Sequence, residues 1–408
     1  MNGQDKDTPT GPLAAFGYPS FRFQFVADTC VALALEMEVL ILGWYVLVET
    51  DSAFLLALIG VARFGGTLLT PFLGSIADKR SRKGMLIVIR SLFSTFALIL
   101  MTLAWADLLA PWQAFVAATL TGLIRSADLM LRQSLIADSV PPKALLNAMA
   151  FARSTFDGAR IVGAIAGASL MATLGIGTTY LCITIFYVIS TLASLGIQAH
   201  RRAAQDHSTR ARPLRDLVDG LRYVHTSRRI ELLLGLAFVV NLSGLCITGG
   251  LLPLVARDVY GMTEIGLGFL LATFAGGALV GSLLIATALR AVQGERLMLS
   301  CFIGFHAVMI WFALNEDPSL GFGLLAATGL LSSFVMVPMS SVLLIATRVE
   351  FRARVMGLRQ LAVIGLPLGL LIAGGLVEPF GVGPALAFIA FIGLLSGVVL
   401  VLAWWRLA

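Results

Sequence analysis

Residues 21–50 read FRFQFVADTCVALALEMEVLILGWYVLVET. At about 1.5 Å of rise per helical residue, this apolar run is long enough to cross the roughly 30 Å hydrocarbon layer of a bilayer. Asp28, Glu36 and Glu38 are set inside it. Similar runs recur to the end of a 408-residue chain that is 58% hydrophobic and 13% charged. A soluble chain of this length would form two or three cores with polar skins, so the solvent these runs require is lipid. The polar first twenty residues hold no apolar run, and the reading expects the first span to serve as its own targeting signal rather than a cleaved leader.

Reading apolar runs against charged, proline and glycine breaks gives six spans near 21–48, 53–77, 84–106, 111–137, 147–172 and 178–198. Six more follow near 230–255, 265–289, 297–314, 319–346, 357–378 and 383–405. The predicted fold class is an all-α membrane protein with twelve transmembrane helices in two six-helix halves. Its parts are a cytoplasmic tail over 1–20, a first half over 21–198, a linker over 199–229 and a second half over 230–408. Lys and Arg gather in the even-numbered connections, with Lys6 and Arg406 at the two ends, whereas the odd-numbered connections hold Arg257 alone. The positive-inside rule then places the even connections and both termini in the cytoplasm, as expected in a bacterial inner (plasma) membrane.

The linker holds eight arginines. Leu214, Leu217, Leu221 and Val224 form an apolar stripe between its charges, which predicts an amphipathic helix on the inner leaflet. The basic balance, net +6, is spread around the spans rather than along one face, so topology explains it and no nucleic-acid partner is expected. Cys30, Cys182, Cys246 and Cys301 sit singly in apolar runs, without disulfide or metal spacing. No P-loop occurs, and neither a cofactor nor a metal is expected. Energy must come from an ion gradient, a substrate gradient or a partner subunit.

The halves echo each other. Ser134-Leu-Ile-Ala leads to Arg153 and Gly163, and Ser341-Val-Leu-Leu-Ile-Ala leads to Arg359 and Gly369, with the same ten-residue interval from arginine to glycine. Such duplication is typical of transporters. The glycine patches Gly65-Gly66, Gly163-x-x-x-Gly167, Gly276-Gly277-x-x-x-Gly281 and Gly374-Gly375 predict close helix packing. Pro71, Pro253, Pro338 and Pro367, in or near spans, are candidate kinks.

An ionisable side chain inside a bilayer costs roughly 2.5–3.5 kcal/mol on insertion scales and is a functional candidate by default. The first half carries Asp28, Glu36, Glu38, Arg63, Arg125, Asp128, Arg132, Arg153, Asp157 and Arg160 within spans; the second has little beyond His306 and Arg359. On the fourth span Arg125, Asp128 and Arg132 make an Arg-acid-Arg stripe, and on the fifth Arg153, Asp157 and Arg160 make another. Glu36 and Glu38 lie at about the depth of Arg63, so an ion pair is geometrically reasonable. Two residues apart, they face opposite sides of their helix and at most one lines a central cavity; Glu36 is the expected proton site. The alternative is that these balanced charges only neutralise one another to hold helices together. His306 fits an interhelical hydrogen bond better than a proton carrier.

Gly74-Ser-Ile-Ala-Asp78-Lys79-Arg80-Ser81-Arg82-Lys83 follows the second span and resembles the signature loop of the major facilitator superfamily, whose two six-helix halves match the whole chain. Ser81 replaces the usual second glycine. The resemblance implies that Gly74 permits close helix contact while Asp78, Arg82 and Lys83 latch the cytoplasmic side. The segments 132–141, 216–224 and 352–358 look like the branch of siderophore exporters and macrolide efflux proteins. That likeness implies proton antiport and a small-molecule substrate that is bulky, amphipathic or metal-chelating. Gly163-Ala164 stands where the antiporter motif of the fifth span reads Gly-Pro, which favours a facilitator or importer as the alternative. No His cluster, Ser/His/Asp set or metal spacing supports an enzyme, and a non-transporting scaffold is the remaining class.

Overall fold

The computed structural model describes residues 13–69, 81–198, 213–287 and 294–406. With no water to satisfy a peptide group in hydrocarbon, a spanning backbone must bond within itself, and these apolar runs are helical throughout. The first half comprises α1 (Pro19–Thr50), α2 (Ala53–Ala62), α3 (Arg82–Trp105), α4 (Pro111–Ser139) and the long element Pro142–Leu195. That last element bends at Gly175, φ 78°, into two arms, α5 over 142–174 and α6 over 176–195. After a linker helix, α7 (Pro213–His225), come α8 (Arg228–Val259), α9 (Glu264–Thr287), α10 (Gly294–Leu314) and α11 (Pro318–Ala346). The chain ends with α12 (Arg354–Phe380) and α13 (Val382–Trp405). Ten stretches are long and apolar enough to cross a membrane. Counting the two arms of the bent pair α5–α6 separately and adding the short apolar helix begun by α2 gives twelve apolar helical segments among the described residues, in two sets of six.

Turn chemistry separates the two faces of the molecule. The positive-φ residues Asp51, Asp107, Gly175, Gly261 and Gly381 all lie in odd-numbered connections, which are therefore tight. Helices start on prolines at Pro19, Pro111, Pro142 and Pro318, where a missing N–H costs nothing. The face bearing the odd-numbered connections is called the odd face below, and the opposite one the even face.

The repeat read from the sequence has a packing counterpart. Gly163 of α5 lies against α1, where a methyl group would meet the Glu36 Cβ at 3.0 Å; Gly369 of α12 lies against α8 at Leu242 and Cys246. The two halves thus place α5 on α1 and α12 on α8 through equivalent glycines. α8 is relaxed by π-type turns at Asn241–Leu245, Ile247–Leu251 and Val255–Val259. Such turns loosen a helix locally and recur at functional sites.

Toward the odd face the halves touch. Leu370 of α12 fills the space over Gly60 of α2, Gly374 abuts Ala57, and Gly268 of α9 abuts Ala164 and Ala168 of α5. Arg257 at the end of α8 donates to the Leu47 carbonyl (2.9 Å) and to Asp51 (2.6 Å), both of the first half. At the even end of the same faces Arg153 and Arg160 are exposed and Arg359 is half-buried. This exposed end of the seam between the halves is called the vestibule below.

The linker helix expected on the leaflet docks partly on the second half. The Tyr223 ring stacks on Phe351 at 4.1 Å, its hydroxyl accepts from the Arg348 N–H (3.1 Å), and Val224 is buried. Val218 and Leu221 stay exposed. Residues 1–12 of the tail and 199–212 of the linker lie outside the described residues.

Candidate functional site: buried charges and the vestibule

Successive residues of α1 turn by about 100°, so Glu36 and Glu38 diverge. Glu38 points into the first half, 4% exposed, and its Oε2 accepts a 2.7 Å hydrogen bond from the Tyr187 hydroxyl of α6. It lines a cavity of about 20 Å³ with Arg63 at the end of α2 and Thr121 and Arg125 of α4. That volume holds about one water molecule and excludes any organic substrate. The Thr121 hydroxyl in its wall and the nearby Tyr180 hydroxyl have no hydrogen-bond partner among the described residues. Small residues let the two guanidinium groups converge: a methyl group on Gly122 would come within 2.7 Å of the Arg63 Cα, and Gly66 meets the carbonyl of Gly122.

Glu36 lies on the other side of α1, partly exposed. It shares a face with Gly43, next to Pro253 of α8, and Leu47, bonded by Arg257, seven and eleven residues further on. This is the face α1 turns to the opposite half. Arg63 interacts electrostatically with both glutamates and with Arg125.

A second charge cluster lies closer to the even face. Arg90 of α3, fully buried, bonds Asp28 of α1 (2.5 Å), Asp128 of α4 (3.2 Å) and Ser194 of α6 (2.9 Å). Arg132 completes it, 4.0 Å from Asp28, its guanidinium 3.6 Å over the Phe156 ring and its backbone carbonyl accepting from Gln24 (2.9 Å). Two acids and two arginines balance, tying four helices of the first half together. Sequence reasoning missed Arg90. Its signal was present, one arginine at the seventh position of the apolar run 84–106, but close enough to the basic 79–83 segment to pass as the end of a span.

The two Arg-acid-Arg stripes are therefore divided. On α4, Arg125 joins Glu38, whereas Asp128 and Arg132 join Arg90. On α5, Arg153 pairs with Asp157 (3.1 Å), while Arg160 is exposed and has no ion pair among the described residues. All three share a face with Ala164 and Ala168, which touch α9 further out, so they face the vestibule. Of the expected cytoplasmic latch, Gly74 and Asp78 lie outside the described residues. Arg82 bonds Asp138 (3.2 Å), and the Lys83 ammonium donates to the Leu195 carbonyl (2.7 Å).

In the second half His306 is buried, with Nε2 2.8 Å from the Ser243 hydroxyl and Nδ1 2.9 Å from the Phe302 carbonyl. Gly393 of α13 leaves the room for this contact. No grouping of His, Cys, Asp or Glu among the described residues is arranged to hold a metal.

This arrangement, two six-helix halves around a vestibule with charges concentrated in one half, matches a known family. The family model described as transmembrane secretion effector, of the major facilitator type, covers residues 10–407. The chain belongs to this family. Among solved structures it resembles the nucleoside transporter NupG, with a TM-score of 0.74 at 13% identity over 94% of this chain and 99% of that one. It also resembles a bacterial homologue of the human lysosomal transporter Spinster, inward-facing and unoccupied, at TM-score 0.68 and 16% identity over 94% of each chain. A D-xylose–proton symporter follows at TM-score 0.72 and 12% identity, over 95% of this chain and 97% of that one. At these identities the likeness is one of fold. No curated protein matches the chain. As a member of the major facilitator superfamily it is a multi-pass membrane transporter of small molecules.

Proposed function

We propose that this transporter exports an amphipathic or chelating compound across the bacterial plasma membrane in exchange for protons, by alternating access. The even face, with its lysines and arginines, is cytoplasmic, so the vestibule opens inward and the odd face is the closed outer gate. The observation that carries the reading is the divergence of Glu36 and Glu38 around Arg63. Glu38 is the fixed counter-charge, held by Tyr187 in a one-water cavity between Arg63 and Arg125. Glu36 offers the carboxyl that exchanges protons with the vestibule. When Glu36 binds a proton, Arg63 loses one of its two carboxylate neighbours, and the balance between Glu38, Arg63 and Arg125 shifts. The orientation that best accommodates the new balance is then favoured, while substrate favours the other. The Asp78, Arg82 and Lys83 segment closes the cytoplasmic side in that other orientation, in line with its family role.

Substrate-triggered proton movement into proteoliposomes, compared between the wild type and Glu36→Gln, tests this. A facilitator or importer on the same fold is the second reading. It is favoured by Ala164, which packs helix to helix against Gly268 where the antiporter pattern has proline. Transport that persists after the pH gradient is collapsed would select it.

A further inference from the structure

Internal duplication supplies a control for each buried charge, because equivalent positions of α5 and α12 ought to face equivalent demands. Arg153 precedes Gly163 by ten residues and Arg359 precedes Gly369 by ten, and the two glycines pack on α1 and α8 alike. Arg153 is neutralised four residues on by Asp157. The equivalent of Asp157 is Val363, and no carboxylate pairs with Arg359 among the described residues. Among the described residues its Nε is buried without an acceptor, and its Nη2 reaches only the Met336 sulfur at 4.0 Å.

The place of this guanidinium follows from its helix. Val363 lies one turn beyond Arg359, and past the 3-10 turn at Ala362–Ile364 the helix runs on to Leu370 and Gly374. Leu370 and Gly374 are the residues that meet Gly60 and Ala57 of the opposite half. Arg359 lies nearer the even end of the same helix, at the vestibule, with the half-buried side chains of Val363 and Met336 beside it. A half-buried cation with no carboxylate partner among the described residues is a candidate for binding a ligand, and a planar guanidinium matches carboxylate or phosphate oxygens bidentately. Across the vestibule, Arg160 is a second cation without an ion pair among the described residues.

We infer that Arg359 is a substrate-binding residue and that the substrate is an amphipathic organic anion. Its acidic group replaces the acid missing at Val363, and its apolar body lies along Val363 and Met336. This inference rests on the transporter reading given above.

The test uses two dyes sharing a xanthene core, anionic carboxyfluorescein and cationic rhodamine 123, released from proteoliposomes holding the full chain. The wild type is expected to move carboxyfluorescein at least tenfold faster than rhodamine 123. Arg359→Gln should lose that preference. Val363→Asp, which keeps the arginine and supplies the internal partner that Arg153 has, should lower carboxyfluorescein efflux by a similar factor and keep the fold. Rhodamine 123 carried as well or better would overturn the anion assignment and leave the transporter reading intact. So would carboxyfluorescein efflux indifferent to both substitutions. Movement of neither dye would equally refute an aromatic anion as substrate, and the Glu36→Gln proton measurement would then decide the transporter reading separately.

Discussion

The Tyr187 hydroxyl stands 2.7 Å from the Glu38 Oε2, joining residues 149 apart in sequence across α6 and α1. This bond fixes Glu38 in the rotamer that faces Arg63 and Arg125, and leaves Glu36 as the carboxyl turned to the vestibule. Loss of the tyrosine hydroxyl removes a charge-assisted bond, about 1.5–3 kcal/mol in a buried setting. Tyr187→Phe should therefore fold and insert, yet show a lowered proton-to-substrate ratio. The check is parallel dye and proton fluxes from one preparation. An unchanged ratio would make the bond merely structural.

Arg90 is expected to hold the first half together rather than to take part in transport. Arg90→Met strips Asp128 of its salt bridge and leaves Asp28 only the 4.0 Å contact with Arg132, at a cost of about 3–5 kcal/mol. Detergent-solubilised protein should melt at a markedly lower temperature, and Asp128→Asn should do less harm because Asp28 stays paired. Near-wild-type melting of Arg90→Met would contradict the role.

Gly122 admits Arg63 to the cavity. A methyl group there meets the Ala62 carbonyl at 2.5 Å and the Arg63 Cα at 2.7 Å. Gly122→Ala should thus cost about 1–3 kcal/mol by overpacking and move α2 away from α4. Thermal melting reads the cost, and the proton flux should fall with it.

On the odd face, Arg257 reaches across the seam to Asp51 and the Leu47 carbonyl. Asp51 is largely exposed, so the pair contributes only about 0.2–1 kcal/mol. Asp51→Asn is expected to shift the balance of the two orientations toward outward-open by a few-fold at most. Spin labels on the odd-face ends of α2 and α12 would report longer distances in the variant; identical distance distributions would remove Arg257 from the gate.

Much of the fold was legible because a bilayer leaves few choices. Span length set the helices, the distribution of Lys and Arg set the halves and their connections, and the Arg153–Gly163 and Arg359–Gly369 echo announced the repeat. The opposed directions of Glu36 and Glu38 were readable from helical period alone. What no single sequence carries is which helix meets which. Tyr187 had no signal, since an aromatic in an apolar run looks like core, and Arg90 merged with the nearby basic segment. The contrast of Asp157 with Val363 was printed in the sequence, but only the structure shows Arg359 left without a carboxylate partner among the described residues.

The central claim is that Glu36 exchanges the coupling proton while Glu38 serves as its fixed counter-charge. The most direct test is proton flux into proteoliposomes under an imposed pH gradient with carboxyfluorescein as cargo, comparing wild type, Glu36→Gln and Glu38→Gln. The account predicts dye movement without proton flux in Glu36→Gln, and in Glu38→Gln a protein that folds but moves neither efficiently. Wild-type proton coupling in Glu36→Gln would contradict it and reduce the charges of the first half to structural pairs.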